Sequence, residues 1–565
     1  MRFSWRDRSR TRTLGATIAL SAVVVTALLL AAPGSANLPN GGPGVNCSSD
    51  GKISGRGATF AWFAQWNWMR AFRNDVCGQV SDTALAGGAS SGDTMVLYNG
   101  TNGDDSQVTG NQGAFIGGLA AGNYTAGSLT GSGNGRTSQI CRSDAFGGSD
   151  GPYSIAQLAS MDNVPGTGGC TAFDPSGTAS DYFSPFNPTV APFPNTNDKQ
   201  APIMSFPIAV SDVAIVVNFN ATASGTNSAS NATCRTGVPN LTATQVSKIM
   251  GGDFINWSEV IPGCLKSDGS QLPIKRVVRR DNSGTSQIIL NYLHSIDANR
   301  TLGGAATCEG TLKWTGGQLN PLAENQWPGD QSESPCSPIV HGWKNGNPGV
   351  LDVIDGAHKP VAGTSGAFPQ QYDSTLATTF DDNGAIGYAD LADTENQIAV
   401  TPQLKLANVR NATNSAYVNA ATAAGANCDT GSITQPGSGT DNIVGLNGDA
   451  VGGDDATANT SDNWAVDQAS NNRADITNKG TLYPICGMTW GLVYEGMSND
   501  PNGGASGTGA PNPNSRLTAN QRRTLYSYFS YILSSAGQSL LDNNWYASLP
   551  PKLASDIRTG FQTHF

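Results

Sequence analysis

Ile274 to Arg280 (IKRVVRR) has the β-branched density of a strand. It stops at DNSGT, and SQIILNYLHSI (286–296) follows with helical spacing. A strand that feeds straight into a helix calls for a sheet with helices packed against it. The same succession opens the chain, where GRGATF leads into AWFAQWNWMRAF and places Trp62, Trp66, Met69 and Phe72 on one helical face. FPIAVSDVAIVVNF (206–219) and LYPICGMTWGLVYEG (482–496) read as strands, the first buried. LTATQVSKIMGGDFINW (241–257) reads as a helix with Thr242 as N-cap and a Gly stop. Residues 517–564 are helical, with Leu525, Tyr526, Phe529, Ile532 and Leu533 at helical spacing. The class is α/β, with no internal repeat.

At 38% apolar, the 565-residue chain is too apolar for a disordered protein, and its 69 Gly lack the triplet period of collagen. Residues 83–135 and 400–480, rich in small and polar types, read as loops and surface elaboration. A net charge of −11 excludes a basic nucleic-acid binder. It leaves room for a local anion site, because helix N-termini and one Arg hold an anion inside an acidic protein. Five Arg precede the apolar run Leu14–Ala32, and Pro33-Gly34-Ser35-Ala36 offers small residues for cleavage. Residues 1–36 are therefore expected to be a signal peptide, with 37–50 a flexible leader, for an extracellular or periplasmic protein without a lipid anchor. Ten Cys with no CxxC exclude a zinc ribbon and a thioredoxin-like motif. In an exported chain they favour disulfides. Cys234/Cys264 and Cys308/Cys336 would close local loops, and the spacing leaves the connectivity open.

The strongest candidate for chemistry is the strand–DNSGT–helix junction. Ser283, Gly284 and Thr285 open a helix whose first amides lack intrahelical partners. Gly allows close approach, the hydroxyls add donors, and the dipole favours negative charge. Arg279 or Arg280 can fork onto an oxyanion. The same pattern also fits an ordinary capping turn beside a surface Arg pair. GATF (57–60) has the same form, with Thr59 as hydroxyl and N-cap; the Trp-rich face behind it fits core packing better than a sugar platform. TGSGNGRTSQI (130–140) is another Gly-Ser turn. FGGSD ends in Asp150, a residue type that usually caps a turn. There is no HExxH and no GxxxxGK[ST]. The four His are scattered, which speaks against a His-rich metal site.

The order of the blocks is the informative feature. GATF with its aromatic helix, TGSGNG, FGGSDGPYS, FPIAVSDVAIVVN, KIMGGDFINW, VVRRDNSGTS, GAIGYAD (384–390), LYPICGMTW and NNWYASLPP occur in succession. This succession resembles the extracytoplasmic phosphate-binding proteins of bacterial phosphate ABC importers, from about residue 53 to 565 with large insertions. The resemblance implies a two-lobed, periplasmic-binding-protein-like (type II) fold with a hinge. Lobe I would comprise 51–205 (insertion about 83–128) and 392–565 (insertion about 400–480), and lobe II 206–391. Phosphate would sit in the interlobe cleft, bound by Thr59, Phe60 through its backbone, Ser132, Asp150, Ser283, Gly284 and Thr285. The family spacing makes Arg279 the cationic ligand, with Arg280 adjacent and Asp281 pairing with the Arg. Asn282 stands where the family usually has Gly.

Asp150 would be the selective element. A protonated phosphate donates a hydrogen bond to a carboxylate, whereas sulfate at neutral pH has no proton to give. An unsatisfied buried partner costs on the order of 1–3 kcal/mol. The expected function is capture of inorganic phosphate for an ABC importer permease, without cofactor and without catalysis. The competing readings are a secreted phosphatase on the same fold and a surface or matrix protein that uses its insertions.

Overall fold

The computed structural model describes residues 53–77, 96–98, 145–151, 203–219, 230–279, 283–298, 342–344, 346–356, 359–360, 370–373, 383–423, 425–433, 475–494, 519–542 and 544–564. The expected signal peptide and leader lie outside these residues, as do most of 83–135 and all of 434–474.

The strands are β1 (Ile53–Gly57), β2 (Val96–Tyr98), β3 (Phe146–Ser149), β4 (Ile203–Asn218), β5 (Asn240–Leu241), β6 (Lys275–Arg279) and β7 (Gly342–Lys344). After them come β8 (Lys359–Pro360), β9 (Gln370–Asp373), β10 (Ala385–Asp390), β11 (Leu404–Leu406), β12 (Asn408–Arg410), β13 (Tyr417–Val418) and β14 (Cys486–Tyr494). The main helices are α1 (Trp62–Cys77), α2 (Ala243–Met250), α3 (Gly284–Asp297), α4 (Asn347–Ile354), α5 (Leu391–Val400), α6 (Ala519–Ile532) and α7 (Pro551–His564). Strands and helices are interspersed along the chain, so the α/β class expected from sequence holds for the described residues.

The apolar run FPIAVSDVAIVVNF explains the architecture. β4 is long enough to serve two sets of neighbours. Its residues 203–212 pair antiparallel with β14, and 213–218 pair antiparallel with β10. The strand order is β2-β1-β3-β14-β4-β10-β6-β7-β9-β8, with β11 also on β4. The partner changes between Asp212 and Val213, so one continuous strand joins the two halves of the sheet. Pro207 has no amide to give to a ladder, and the β4–β14 register slips beside it, between Thr489 and Trp490.

In the first half, Phe529 of α6 meets Phe146 at 5.4 Å and Phe206 at 5.5 Å, both edge to face. Such pairs add about 0.5–1.5 kcal/mol each beyond area burial, and these tie α6 to β3 and β4. Trp62, Met69 and Phe72 of the expected face are buried, while Trp66 is half-buried beneath Arg70, 5.5 Å from its ring centroid. Trp68, off that face, is fully buried and donates Nε1–H to Gly537 O at 2.8 Å. The described tryptophans of α1 are thus mostly core. In the second half Trp257 is fully buried against Phe219 at 4.8 Å and donates to Gly384 O at 2.8 Å. Thr242 caps α2 through a reciprocal box with Gln245, and the helix ends before Gly251.

Three expectations need correction. Val96–Tyr98, inside the expected first insertion, is a strand paired with β1, and Tyr98 is fully buried. The beginning of the expected second insertion belongs to the fold. Leu404–Leu406 pairs with β4, Val409 is fully buried, and Cys428 forms a disulfide with Cys486. Residues 517–564 are not one helical run, since Ala547 exchanges backbone hydrogen bonds with Val210 between the last two main helices. The anticipated Cys234–Cys264 bridge is present; Cys308 and Cys336 lie outside the described residues.

Candidate anion site

β1 runs out at Gly57, whose φ is +148°. A Cβ there would lie 1.9 Å from the Gly148 carbonyl oxygen. Glycine at this point lets the β1 turn press against β3, and Ala58 donates its amide to Gly148 O at 3.1 Å. Thr59–Ala61 then makes a single 3-10 turn that leads into α1, with Phe60 fully buried. The Thr59 side chain lies outside the described part. β3 ends at Ser149, and Asp150 follows, 7% exposed. Tyr98 supports this corner by donating to Ala58 O at 3.0 Å. Burial pushes its hydroxyl well up, and the Asp150 charge pushes it further.

The second corner is the end of β6. Arg279 is 1% exposed, which removes the surface-Arg alternative for this position. Its Nη1 donates to Thr285 Oγ1 at 3.1 Å and to Asn347 Oδ1 at 2.9 Å. Ser283 caps α3 by accepting the Ser286 amide at 3.1 Å. The amides of Gly284 and Thr285 follow, at positions where a helix offers no internal acceptor. Tyr388 of β10 braces the corner: its hydroxyl accepts the Arg279 amide at 3.3 Å and shares a 2.6 Å hydrogen bond with Ser286 Oγ.

Behind Arg279 lies a pair of carboxyls. Asn347 Nδ2 donates to Asp390 Oδ2. Asp390 caps α5, accepting the Asp393 amide at 2.8 Å. Burial pushes both carboxyls up. Asp393 is raised further by the charge of Asp390, while hydrogen bonds from Asp393 and Asn347 and the Arg279 charge restrain Asp390.

Tyr546 stands where the corners converge. Its hydroxyl donates to Phe60 O at 2.7 Å and accepts the Ala64 amide in the first turn of α1. Burial raises this hydroxyl most, followed by Asp390, Asp393 and Asp150. One phenol thus feels carboxyls from both halves. The residue before it, Trp545, has a φ of 64°. A non-Gly residue there stores on the order of 1–3 kcal/mol of strain, held here by Ser211 Oγ donating to Trp545 O at 3.3 Å.

Of the residues singled out from sequence, the structure groups Arg279, Ser283, Gly284 and Thr285 at one corner and Phe60 and Asp150 at the other. Ser132, Arg280 and Asp281 lie outside the described residues. Asn347 and Asp393 carry no signal in the sequence, while Asp390 and Tyr546 figure there only inside the blocks GAIGYAD and NNWYASLPP. The arrangement supplies a permanent cation, helix-start amides and a carboxylate. Cation and amides suit an oxyanion, and a carboxylate accepts a proton that the anion carries. Among the described residues no cluster of His, Cys, Asp and Glu has the form of a metal site.

Residues 193–461, just under half of the chain, match the model of the PBP superfamily domain. No curated protein is detectably similar in sequence. Among solved structures, a phosphate-binding protein from Stenotrophomonas maltophilia is 14% identical, with 90% of this chain and 93% of that one covered and a TM-score of 0.42. A periplasmic phosphate-binding protein solved with phosphate is 15% identical, with coverages of 90% and 93% and a TM-score of 0.43. A phosphate ABC transporter substrate-binding protein from Clostridium perfringens is 11% identical, with coverages of 88% and 100% and a TM-score of 0.32. At these values the likeness says nothing about what this chain binds. What the comparisons give this chain is therefore a similarity of residues 193–461 to the PBP superfamily domain.

Proposed function

We propose that this protein is an exported solute-binding protein that captures inorganic phosphate between its two halves and passes it to the permease of an ABC importer. The observation that carries the reading is the buried Arg279, held by Thr285 and Asn347 at the start of α3, with Asp150 on the other half of the sheet. Arg279 is the cationic ligand and Asp150 the acceptor for the ligand's proton. Phe60 offers its backbone, and Thr59 and Ser132 add hydroxyls. The two disulfides among the described residues fit an oxidising compartment. No helix among the described residues is long and apolar enough to cross a membrane.

Calorimetric titration of the anion-stripped chain with phosphate and with sulfate tests the reading. It expects one-to-one binding of phosphate, little heat from sulfate, and no binding by Arg279→Ala. Sulfate binding alone would reassign the ligand. Binding of neither anion would remove the proposal.

A further inference from the structure

Asn347 does not merely fill space beside Arg279. Its carbonyl oxygen faces the guanidinium and its amide nitrogen faces Asp390, so its orientation is determined by a donor on one side and an acceptor on the other. A direct carboxylate on Arg279 would compete with an incoming anion. A neutral amide between them keeps the Asp390 charge near the guanidinium without occupying it with a second anion. Asp390 and Asp393 are 1% and 6% exposed, and they lie against each other at the start of α5. Two buried neighbouring carboxyls disfavour each other's charge, and burial raises both. The groups facing the pair from the other elements are Arg279 on β6, Asn347 on α4 and Tyr546 after α6. Asp212 on β4 feels Asp390, and also Glu395 of α5.

We propose that Asn347, Asp390 and Asp393 are positioning residues that couple anion capture to proton uptake: Asn347 aims Arg279, and the carboxyl pair, which holds one proton in the empty site, takes up a second when the anion arrives. This rests on the phosphate reading. The proton comes from solvent, and no other bond is made or broken. The sign follows from charge. An anion on Arg279 cancels the positive field that keeps Asp390 ionised and adds a negative one. Both effects favour the protonated pair, so affinity weakens as pH rises through the pair's titration, by at most about tenfold per pH unit for one proton.

The test is calorimetry of the full chain with inorganic phosphate in two buffers of different ionisation heat, for wild type and Asp393→Asn. Asparagine retains a hydrogen-bond donor toward Asp390 but no exchangeable charge. Since the phosphate's own protonation contributes equally to both proteins, their difference reports the pair. Phosphate binding within about threefold of wild type, with a smaller proton uptake and a flatter pH profile, supports the coupling. Unchanged uptake in a variant that still binds overturns it. Asn347→Asp is the second variant, for it places a third carboxyl between Arg279 and Asp390. It should lose at least about tenfold in phosphate affinity near pH 8 and regain it as pH falls. An equal loss at every pH counts against the coupling. If the wild-type chain binds no phosphate, the phosphate reading falls and takes the coupling with it. If it binds but these variants change nothing, only the coupling falls.

Discussion

In the proposed site Asp150 and Arg279 would act oppositely on an anion, and their contributions separate by experiment. Arg279 would attract any oxyanion, whereas Asp150 would reward only one that carries a proton. Asp150→Asn removes the repulsion toward sulfate and supplies it a donor. Competition calorimetry should show the phosphate-over-sulfate preference falling by about tenfold or more, equivalent to ~1.4 kcal/mol; unchanged selectivity would take Asp150 out of the site. Arg279 was legible as the end of a strand before a Ser-Gly turn, whereas Asp150, just after β3, was named only through the family resemblance. The sequence left Arg280 open beside Arg279, and Arg280 lies outside the described residues, whereas the other arginine of the strand, Arg276, has a different role. Three positions apart on β6, Arg276 and Arg279 project to opposite faces, and Arg276 is a structural cation that donates to the carbonyls of Ile249 and Phe254. Asn347 and Asp390 were out of reach for another reason: their partners lie 68 and 43 residues away, and nothing local announces such contacts. A further residue-scale consequence concerns Asp212, fully buried at the change of partner on β4. Burial holds its carboxyl well above the ordinary value, and Asp390 and Glu395 add to this against the Asn427 amide. The folded state therefore keeps a proton that the unfolded chain releases near pH 4, approximately. Stability from this group is greatest below that value and falls as pH rises toward the folded pKa. Melting curves across neutral pH should decline less steeply for Asp212→Asn than for wild type.

Among the elements, turns and caps were the most legible. Thr242 was recognisable as a cap because its hydroxyl precedes a helical run at the right offset, and DNSGT fitted a capping turn as the competing reading; Thr242 and Ser283 each accept an N3 amide. The Gly57 turn is harder to replace than either cap. Its backbone conformation and the 1.9 Å approach to Gly148 O both exclude a side chain. Gly57→Ala should destabilise the first half by more than about 2 kcal/mol and weaken phosphate binding, because the Phe60 carbonyl that receives Tyr546 follows this turn. Chemical denaturation beside calorimetry checks both effects; a variant of wild-type stability would contradict the stated role of the turn. The Leu404–Leu406 strand was misread because its surroundings are so small and polar. A three-residue edge strand leaves almost no periodicity, and only its pairing with Leu404 opposite Asn218 reveals it. Tyr98 was hidden in the same way inside a Gly-rich stretch.

At the scale of the molecule, the resemblance implied a crossing near residue 206 with the whole apolar run beyond it, whereas in the structure β4 pairs with β14 up to Asp212 and with β10 from Val213. Cys428–Cys486 fastens the start of β14 to the segment that follows β13, with a sequence separation of 58. A loop of that length is worth ~4 kcal/mol in the chain-entropy account. Cys428→Ser together with Cys486→Ser should therefore lower the denaturation midpoint by several degrees; an unchanged midpoint would mean that neighbouring contacts already hold β14. Because β14 lies between β3 and β4 in the sheet, the order in which the chain is synthesised differs from the order in which it is assembled. As the chain emerges, β3 and β4 both precede by hundreds of residues the strand that must separate them. A nascent chain that paired β3 directly with β4 would have to part them again to admit β14. The first half must therefore wait, with open strand edges, until β14 has been made, and for that interval it depends on whatever keeps those edges from meeting another chain.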